Sequence, residues 1–164
     1  MRFVVIAMLV ACSNGAKRED APMPPKQSPQ DATAQAPSAP PAKVIVEGPN
    51  GDVVVNVEVV ATEAKIEKGL MYRQAMALDA GMLFMLGRER DWAFWMRNTL
   101  IPLDMLFIGK DKTVVGIVEN AEPRTETLRQ VGKPSFYVLE VNGGWSKSYQ
   151  VKAGAKVRFE NVAE

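Results

Sequence analysis

The sequence predicts a mainly β domain, either a compact sandwich or a distorted barrel, with one or two short helices. From Val53 to Val59 a valine stands at every second position, and β-branched residues alternating at period 2 are typical of a strand. Short apolar runs separated by turn-forming residues follow at close spacing, which indicates a sandwich or barrel rather than a parallel sheet. We expect a single β-rich domain over residues 43–164, since a chain of 164 residues suits one domain.

The chain begins with features of a signal peptide. Met1 and Arg2 precede nine apolar residues at positions 3–11, and a membrane-spanning helix would need about 20. The segment Leu9–Cys12 resembles the bacterial lipobox, in which the cysteine is acylated and becomes the mature N-terminus. The alternative is a misassigned start with a chance cysteine. The favoured interpretation is a lipoprotein signal peptide over residues 1–11 and lipidation at Cys12.

Several acyl chains would anchor the protein to a membrane, because each buried CH₂ contributes about 0.8 kcal/mol. Ser13 and Asn14 follow the cysteine, and they lack the aspartate of inner-membrane retention signals. The prediction is an exported protein, lipid-anchored in the cell envelope. In a cell with two membranes, the outer membrane facing the periplasm is favoured.

A tether is predicted over residues 12–42. Seven of the eleven prolines lie in it, among alanine, serine and glutamine, without hydrophobic periodicity. Such a segment cannot bury enough apolar surface to offset its conformational entropy, so we expect it to be disordered. It could instead be a docking peptide for a partner protein, but a spacer is favoured.

The individual elements of the domain follow from local patterns. The runs at 44–46 and 52–60 are separated by Gly48–Gly51, whose residues suit a tight turn, and so form a hairpin. Thr62 is placed to cap a short helix over Glu63–Lys68, which Gly69 would end in a left-handed conformation. Further strands are predicted at 81–86, 92–96, 103–108, 113–118, 135–141 and 155–160.

The composition excludes several classes of function. The chain has 20 basic and 19 acidic residues and no basic segment, which argues against nucleic acid as a partner. One cysteine cannot form an intramolecular disulfide. Histidine is absent, which removes the usual general base and the commonest zinc and copper ligand. We therefore assign no catalytic residue, metal or cofactor.

Four segments carry a resemblance to a known family: GLMYR at 69–73, GMLF at 81–84, FWMRNTLIPLDM at 94–105 and YVLEVNGG at 137–144. They resemble the family named domain of unknown function 192, in order and spacing, over about residues 52–162. The resemblance implies a compact β-rich fold of the jelly-roll or sandwich kind. It implies no reaction, because the family's activity is unassigned.

Two clusters invite a functional interpretation. Six of the nine methionines lie between Met71 and Met105, which suggests either a copper(I) site or, as favoured here, the filling of irregular gaps in the core. Near them, three aromatic residues lie beside three arginines: Trp92, Phe94 and Trp95 beside Arg88, Arg90 and Arg97. Such a mixture is found in carbohydrate or peptide sites and equally in a core strand with a charged outer face. Alternation predicts that Trp95 points away from the core, where it could contact a ligand.

Asp104 and Glu140 stand in otherwise apolar runs, where a charge must find a partner. The favoured interpretation is that they pair with arginines such as Arg73 or Arg97, or accept backbone N–H bonds. The alternative is an acid and base pair in a hydrolase cleft. We expect Arg73, Asp104 and Glu140 to form one polar cluster where any ligand binds. The candidate ligand-binding residues are Arg73, Trp95, Asn98, Thr99, Asp104 and Glu140.

Three functions remain open from the sequence. The leading hypothesis is a non-enzymatic binding or accessory module of the envelope that recognises a small molecule, a glycan or a protein. The first alternative is a hydrolase that uses Asp104 and Glu140. The second is a structural envelope protein, which a surface without a concave pocket would favour.

Overall fold

The computed structural model describes residues 40–163. The predicted signal peptide, Cys12 and the predicted tether up to residue 39 lie outside this part of the chain. The elements in chain order are β1 (Lys43–Gly48), β2 (Gly51–Val60), α1 (Glu63–Lys68), β3 (Ala80–Arg90), β4 (Leu103–Ile108), β5 (Val114–Ala121), β6 (Ser135–Asn142), α2 (Trp145–Ser148) and β7 (Val157–Glu160). The prediction of a mainly β domain with one or two short helices is confirmed.

The seven strands form one sheet in the order β5-β4-β6-β3-β2-β1-β7, which curls into a half-barrel. Strands β2 and β3 are parallel, and the other neighbouring pairs are antiparallel. A parallel pair needs a crossover connection, and helix α1 lies in the one between β2 and β3. All seven strands thus share a single curled sheet instead of dividing into two layers.

The hairpin of β1 and β2 forms as the sequence predicts. Gly48 pairs with Gly51 across the two-residue turn, and Gly51 has a φ of 113°, which favours glycine. The alternating valines turn one face of β2 inward, and Val53, Val55 and Val57 pack in the same hydrophobic cluster. A polar residue between two such valines therefore lies on the opposite side of the strand.

Hydrophobic clusters cover both faces of the central sheet. All six residues of β4 are buried, as expected for a strand packed on both sides. Cluster one contains Leu83, Leu106, Leu139 and Val141, and cluster two contains Met82, Phe84, Met105, Phe107 and Val138. Residues next to each other along β3, β4 and β6 thus enter different clusters.

The predicted strand at 92–96 is wrong. This segment is a loop on the cluster-two face. Phe94 and Arg129 exchange backbone hydrogen bonds of 2.9 and 2.7 Å in an isolated bridge, and the Met96 N–H donates to the Thr125 carbonyl at 2.9 Å. Its alternation is nevertheless real, because Met96 is fully buried and Trp95 is exposed. The period-2 pattern arises because every second side chain of this loop points towards the sheet and the others point to solvent.

Helix α1 has the predicted bounds. Thr62 occupies the N-cap position, but its side chain makes no capping hydrogen bond. Gly69 ends the helix with a φ of 45°, and its N–H donates to the Lys65 carbonyl. A Cβ at this position would lie 3.3 Å from the ring of Phe84, so glycine brings the helix end close to the sheet. No helix within residues 40–163 has the length and hydrophobicity to cross a membrane.

Candidate functional site

A cavity of about 250 Å³ lies on the cluster-two face of the sheet, bounded by α1, β3 and the 92–95 loop. Most of its wall is apolar or aromatic. The uncharged side chains come from Ile66, Leu70, Met71, Phe84, Leu86, Trp92, Ala93, Phe94, Trp95, Thr99 and Leu128. The charged residues that line it are Glu67, Lys68, Arg90 and Glu140, and the first three are exposed. Glu140 is therefore the one buried ionisable group in this wall.

Strand β6 positions Glu140. In the sheet, Glu140 lies between Met82 on β3 and Met105 on β4, and all three residues are buried. The Glu140 carboxyl forms no hydrogen bond or ion pair with any residue in the 40–163 range. Burial raises the pKa of Glu140 to about 8 because the surroundings disfavour the charged form. At neutral pH the cavity thus contains an uncharged carboxylic acid, which can donate a hydrogen bond.

Thr99 supplies a second polar group to the same cavity. Its N–H donates to the Met96 carbonyl at 3.1 Å, and its carbonyl accepts from the N–H of Arg124 at 3.0 Å. These bonds fix the backbone and leave the hydroxyl without a partner in the described chain, although Thr99 is only 5% exposed. The fully enclosed side-chain oxygens without a partner in residues 40–163 are Ser135 Oγ and Ser146 Oγ, so the Thr99 hydroxyl and the Glu140 carboxyl each keep some accessible surface.

The aromatic side of the cavity is largely fixed by packing. The ring of Phe94 makes edge contacts with Phe84 at 5.3 Å and with Phe107 at 6.0 Å between centroids. The Arg90 guanidinium lies 3.6 Å from the centroid of the Trp92 ring, which engages that cation. Trp95 remains 40% exposed, with the Arg97 guanidinium 5.7 Å from its ring centroid, and it lines both this cavity and a neighbouring one, where an incoming molecule could contact it.

Asp104 has a different environment, on the opposite face of the sheet. It is fully buried, and its carboxylate accepts three backbone hydrogen bonds: from Asn120 at 2.7 Å, from Gly144 at 2.9 Å and from Ser146 at 2.7 Å. These donors belong to β5 and to the beginning of α2. The prediction that Asp104 accepts backbone N–H bonds is confirmed, and its carboxylate joins three segments of the fold.

The sheet register separates Asp104 from Glu140. Asp104 is paired with Val141, whereas Glu140 is paired with Met105. Directly paired residues point to the same face of an antiparallel sheet, and successive residues point to opposite faces. The two carboxyls therefore project to opposite sides, so the hypothesis that they act together as acid and base is wrong.

Arg73 and Asn98 also lie apart from Glu140. Arg73 forms a bidentate ion pair with Glu58, which lowers the pKa of that carboxyl mainly through the side-chain hydrogen bonds. Asn98 has a φ of 56°, a conformation that asparagine tolerates, and accepts from the Tyr72 N–H. No hydrogen bond or ion pair connects Arg73, Asp104 and Glu140, so the predicted polar cluster is not formed. The structure brings together Trp95, Thr99 and Glu140.

The methionine cluster contributes to packing. Met82, Met96 and Met105 are buried in cluster two, where their flexible side chains fill the space around the aromatic rings. Within residues 40–163, no group of three or more aspartate, glutamate or cysteine side chains could hold a metal ion.

Sequence reasoning missed the apolar lining of the cavity. Leu70 follows the end of α1, and Phe84 and Leu86 lie on β3, where their spacing is that of ordinary core residues. In sequence, a side chain that faces a cavity has the same pattern as one that faces the core. The available signal is the glutamate in the middle of an apolar strand, which marks the face on which the cavity lies.

Two solved structures are similar to this chain. A Sinorhizobium meliloti 1021 protein, provisionally described as a transcription regulator, has 40% sequence identity and a TM-score of 0.70, over 72% of this chain and 92% of its own. A protein of unknown function from Novosphingobium aromaticivorans DSM 12444 has 40% identity and a TM-score of 0.69, over 71% of this chain and 83% of its own. No curated protein sequence matches this chain significantly.

The family comparison covers the same domain. Residues 42–159 match DUF192, which is described as an uncharacterised ACR. This range extends from the residue before β1 into β7 and includes every cavity residue. The chain therefore belongs to the DUF192 family.

Proposed function

We propose that this protein is a binding module of the cell envelope that holds a small molecule in the cavity above Glu140. The observation that supports it most strongly is the buried carboxyl, which has no partner within the described chain. Burying a carboxyl among apolar side chains without a hydrogen-bond partner is unfavourable. A ligand that bonds to the carboxyl would recover this free energy.

The form of the cavity supports the same function. Small-molecule sites are concave and mostly apolar, with a few polar groups that orient the ligand. Here the wall is built by leucine, phenylalanine and tryptophan, and the buried polar groups are Thr99 and Glu140. A structural envelope protein would need no such cavity.

Trp95→Ala should weaken binding of small ring compounds at least tenfold, because this side chain lines the cavity and packs little against the core. The melting temperature without ligand should change by less than about 3 °C, as expected for a partly exposed residue. Binding is measured by tryptophan fluorescence and by protein-detected NMR. The matched control is Leu78→Ala, because Leu78 is 81% exposed and does not line the cavity. Equal affinity in wild type and Trp95→Ala would contradict the proposed site.

The envelope location of this module is proposed from the sequence. The apolar segment at 3–11 and the lipobox-like Leu9–Cys12 support lipidation at Cys12. Cells given a labelled fatty acid should incorporate it into wild type, which should fractionate with the membrane. The Cys12→Ser variant should take up no label. Equal labelling of both proteins would contradict lipidation at Cys12.

A further inference from the structure

The cavity volume limits the size of its occupant. An engineered apolar cavity of about 150 Å³ accommodates benzene, and this one measures about 250 Å³. The space suits a body of one or two rings. The aromatic and aliphatic wall favours an apolar body, because burying apolar surface contributes about 25 cal/mol per Å².

The two unpartnered polar groups determine what the ring must carry. The Glu140 carboxyl and the Thr99 hydroxyl both line the cavity, and neither has a partner in the described residues. Neighbouring Met82 and Met105 offer Glu140 only thioethers, which are weak acceptors. A protonated carboxyl and a hydroxyl can both donate, so a ligand oxygen that accepts from them would satisfy both groups.

The charges around the cavity favour a neutral ligand. The exposed charged residues that line it are Lys68 and Arg90, which are positive, and Glu67, which is negative. These three exposed charges, two positive and one negative, do not attract a cation to the cavity. Burial raises the pKa of Glu140 to about 8, so the carboxyl inside the cavity is uncharged at neutral pH. An anion would have to leave water for an apolar cavity that offers no buried cation, which is costly.

We infer that the cavity binds a neutral compound of one or two rings and that its carbonyl or hydroxyl oxygen accepts hydrogen bonds from Glu140 and Thr99. This inference rests on the proposed binding function and specifies the ligand class. Glu140 acts as one donor, and Thr99 provides a second in the same cavity. The aromatic rings of the wall contact the apolar part of the ligand and do not require it to carry a charge.

Four probes of nearly equal size test this inference: acetophenone, ethylbenzene, 1-phenylethylamine and benzoate. Their affinities are measured by NMR titration of the full chain carrying Cys12→Ser, at pH 6.5. Acetophenone should bind about tenfold more tightly than ethylbenzene, which corresponds to one net hydrogen bond of about 1.4 kcal/mol. The amine and benzoate should bind more weakly than acetophenone.

Two substitutions identify the donors. Glu140→Gln retains an N–H donor and should preserve the preference for acetophenone, whereas Glu140→Met should abolish it. Thr99→Val removes the hydroxyl at nearly constant volume and should reduce the preference severalfold, which provides a second test if a Glu140 variant folds poorly. Raising the pH from 6.5 to 9.5 should weaken acetophenone binding in wild type but not in Glu140→Gln. Any contribution of Glu67, Lys68 or Arg90 to the pH dependence of binding would persist in Glu140→Gln, so this variant separates it from the effect of Glu140.

The outcomes separate the ligand class from the binding function. If acetophenone and ethylbenzene bind equally, or if the amine binds most tightly, the neutral-acceptor inference is wrong and the cavity remains a binding site. If no probe binds, both the inference and the proposed function are wrong.

Discussion

Replacing Asp104 by alanine should lower the free energy of unfolding by roughly 3–5 kcal/mol, because three buried N–H groups would lose their acceptor. The donors are the backbone amides of Asn120, Gly144 and Ser146, at 2.7–2.9 Å from the carboxylate. The expected result is a fall in melting temperature of more than about 10 °C. Asp104→Asn should cost less, since its amide oxygen can still accept from some of these groups.

The matched control is Asp91→Ala, because Asp91 is exposed. Its free energy of unfolding should change by less than about 0.5 kcal/mol, as is usual for surface positions. Thermal and urea melts measure all three variants. A melting temperature for Asp104→Ala within a few degrees of wild type would show that the carboxylate does not stabilise the fold. Because Asp104 and Glu140 face opposite sides of the sheet, a folded Asp104 variant should retain its affinity for ring compounds.

The second large effect is a pH dependence of stability caused by Glu140. The pKa of this carboxyl is about 8 in the folded protein, compared with 4.5 for an unperturbed glutamate. The folded state binds the proton of Glu140 more tightly than the unfolded state does. Protonation of Glu140 therefore stabilises the folded protein in full below pH 4.5, and this contribution is lost as the pH rises towards 8. The slope is about 1.4 kcal/mol per pH unit, and the total loss is on the order of 5 kcal/mol.

Glu140→Gln isolates this effect. The variant cannot titrate at position 140, so its stability should fall less than that of wild type between pH 5 and pH 8.5. Urea melts across this range give the difference in slope, whatever the variant's stability at any single pH. Parallel stability curves for the two proteins would mean that Glu140 titrates at an ordinary pKa. Well above pH 8 the two curves should run in parallel, because Glu140 is then ionised in both the folded and unfolded states.

Most strands were predictable because their signals are local. Alternating valines define β2, a glycine-rich turn closes the β1–β2 hairpin, and apolar runs mark β3, β4 and β6. The segment at 92–96 has the same alternation but is a loop. Its side chains alternate between the buried side and solvent. Its backbone forms an isolated bridge at Phe94 and a hydrogen bond from the Met96 N–H to the Thr125 carbonyl, instead of a ladder. Periodicity reports which side chains are buried, and it does not report whether a neighbouring strand is present.

The site was predictable only in part. A glutamate within an apolar strand indicates a special environment, and of the predicted residues Trp95, Thr99 and Glu140 line one cavity. Asp104 has the same sequence signature but lies on the other face, because its orientation depends on the register between β4 and β6. Register is a long-range property, so the two carboxyls could not be distinguished from local patterns. The partnership of Arg73 with Glu58 likewise depends on a contact between β2 and the segment after α1.

Asp104 also affects the register in which β4 pairs with its neighbouring strands during folding. The other five residues of this strand are all hydrophobic, so shifting it by one position would still bury apolar side chains on both faces. Such a shift would carry the carboxylate to the opposite face, away from its three donors. A buried charge without partners costs several kcal/mol. Asp104 thus excludes the misaligned pairings that an entirely hydrophobic β4 would permit.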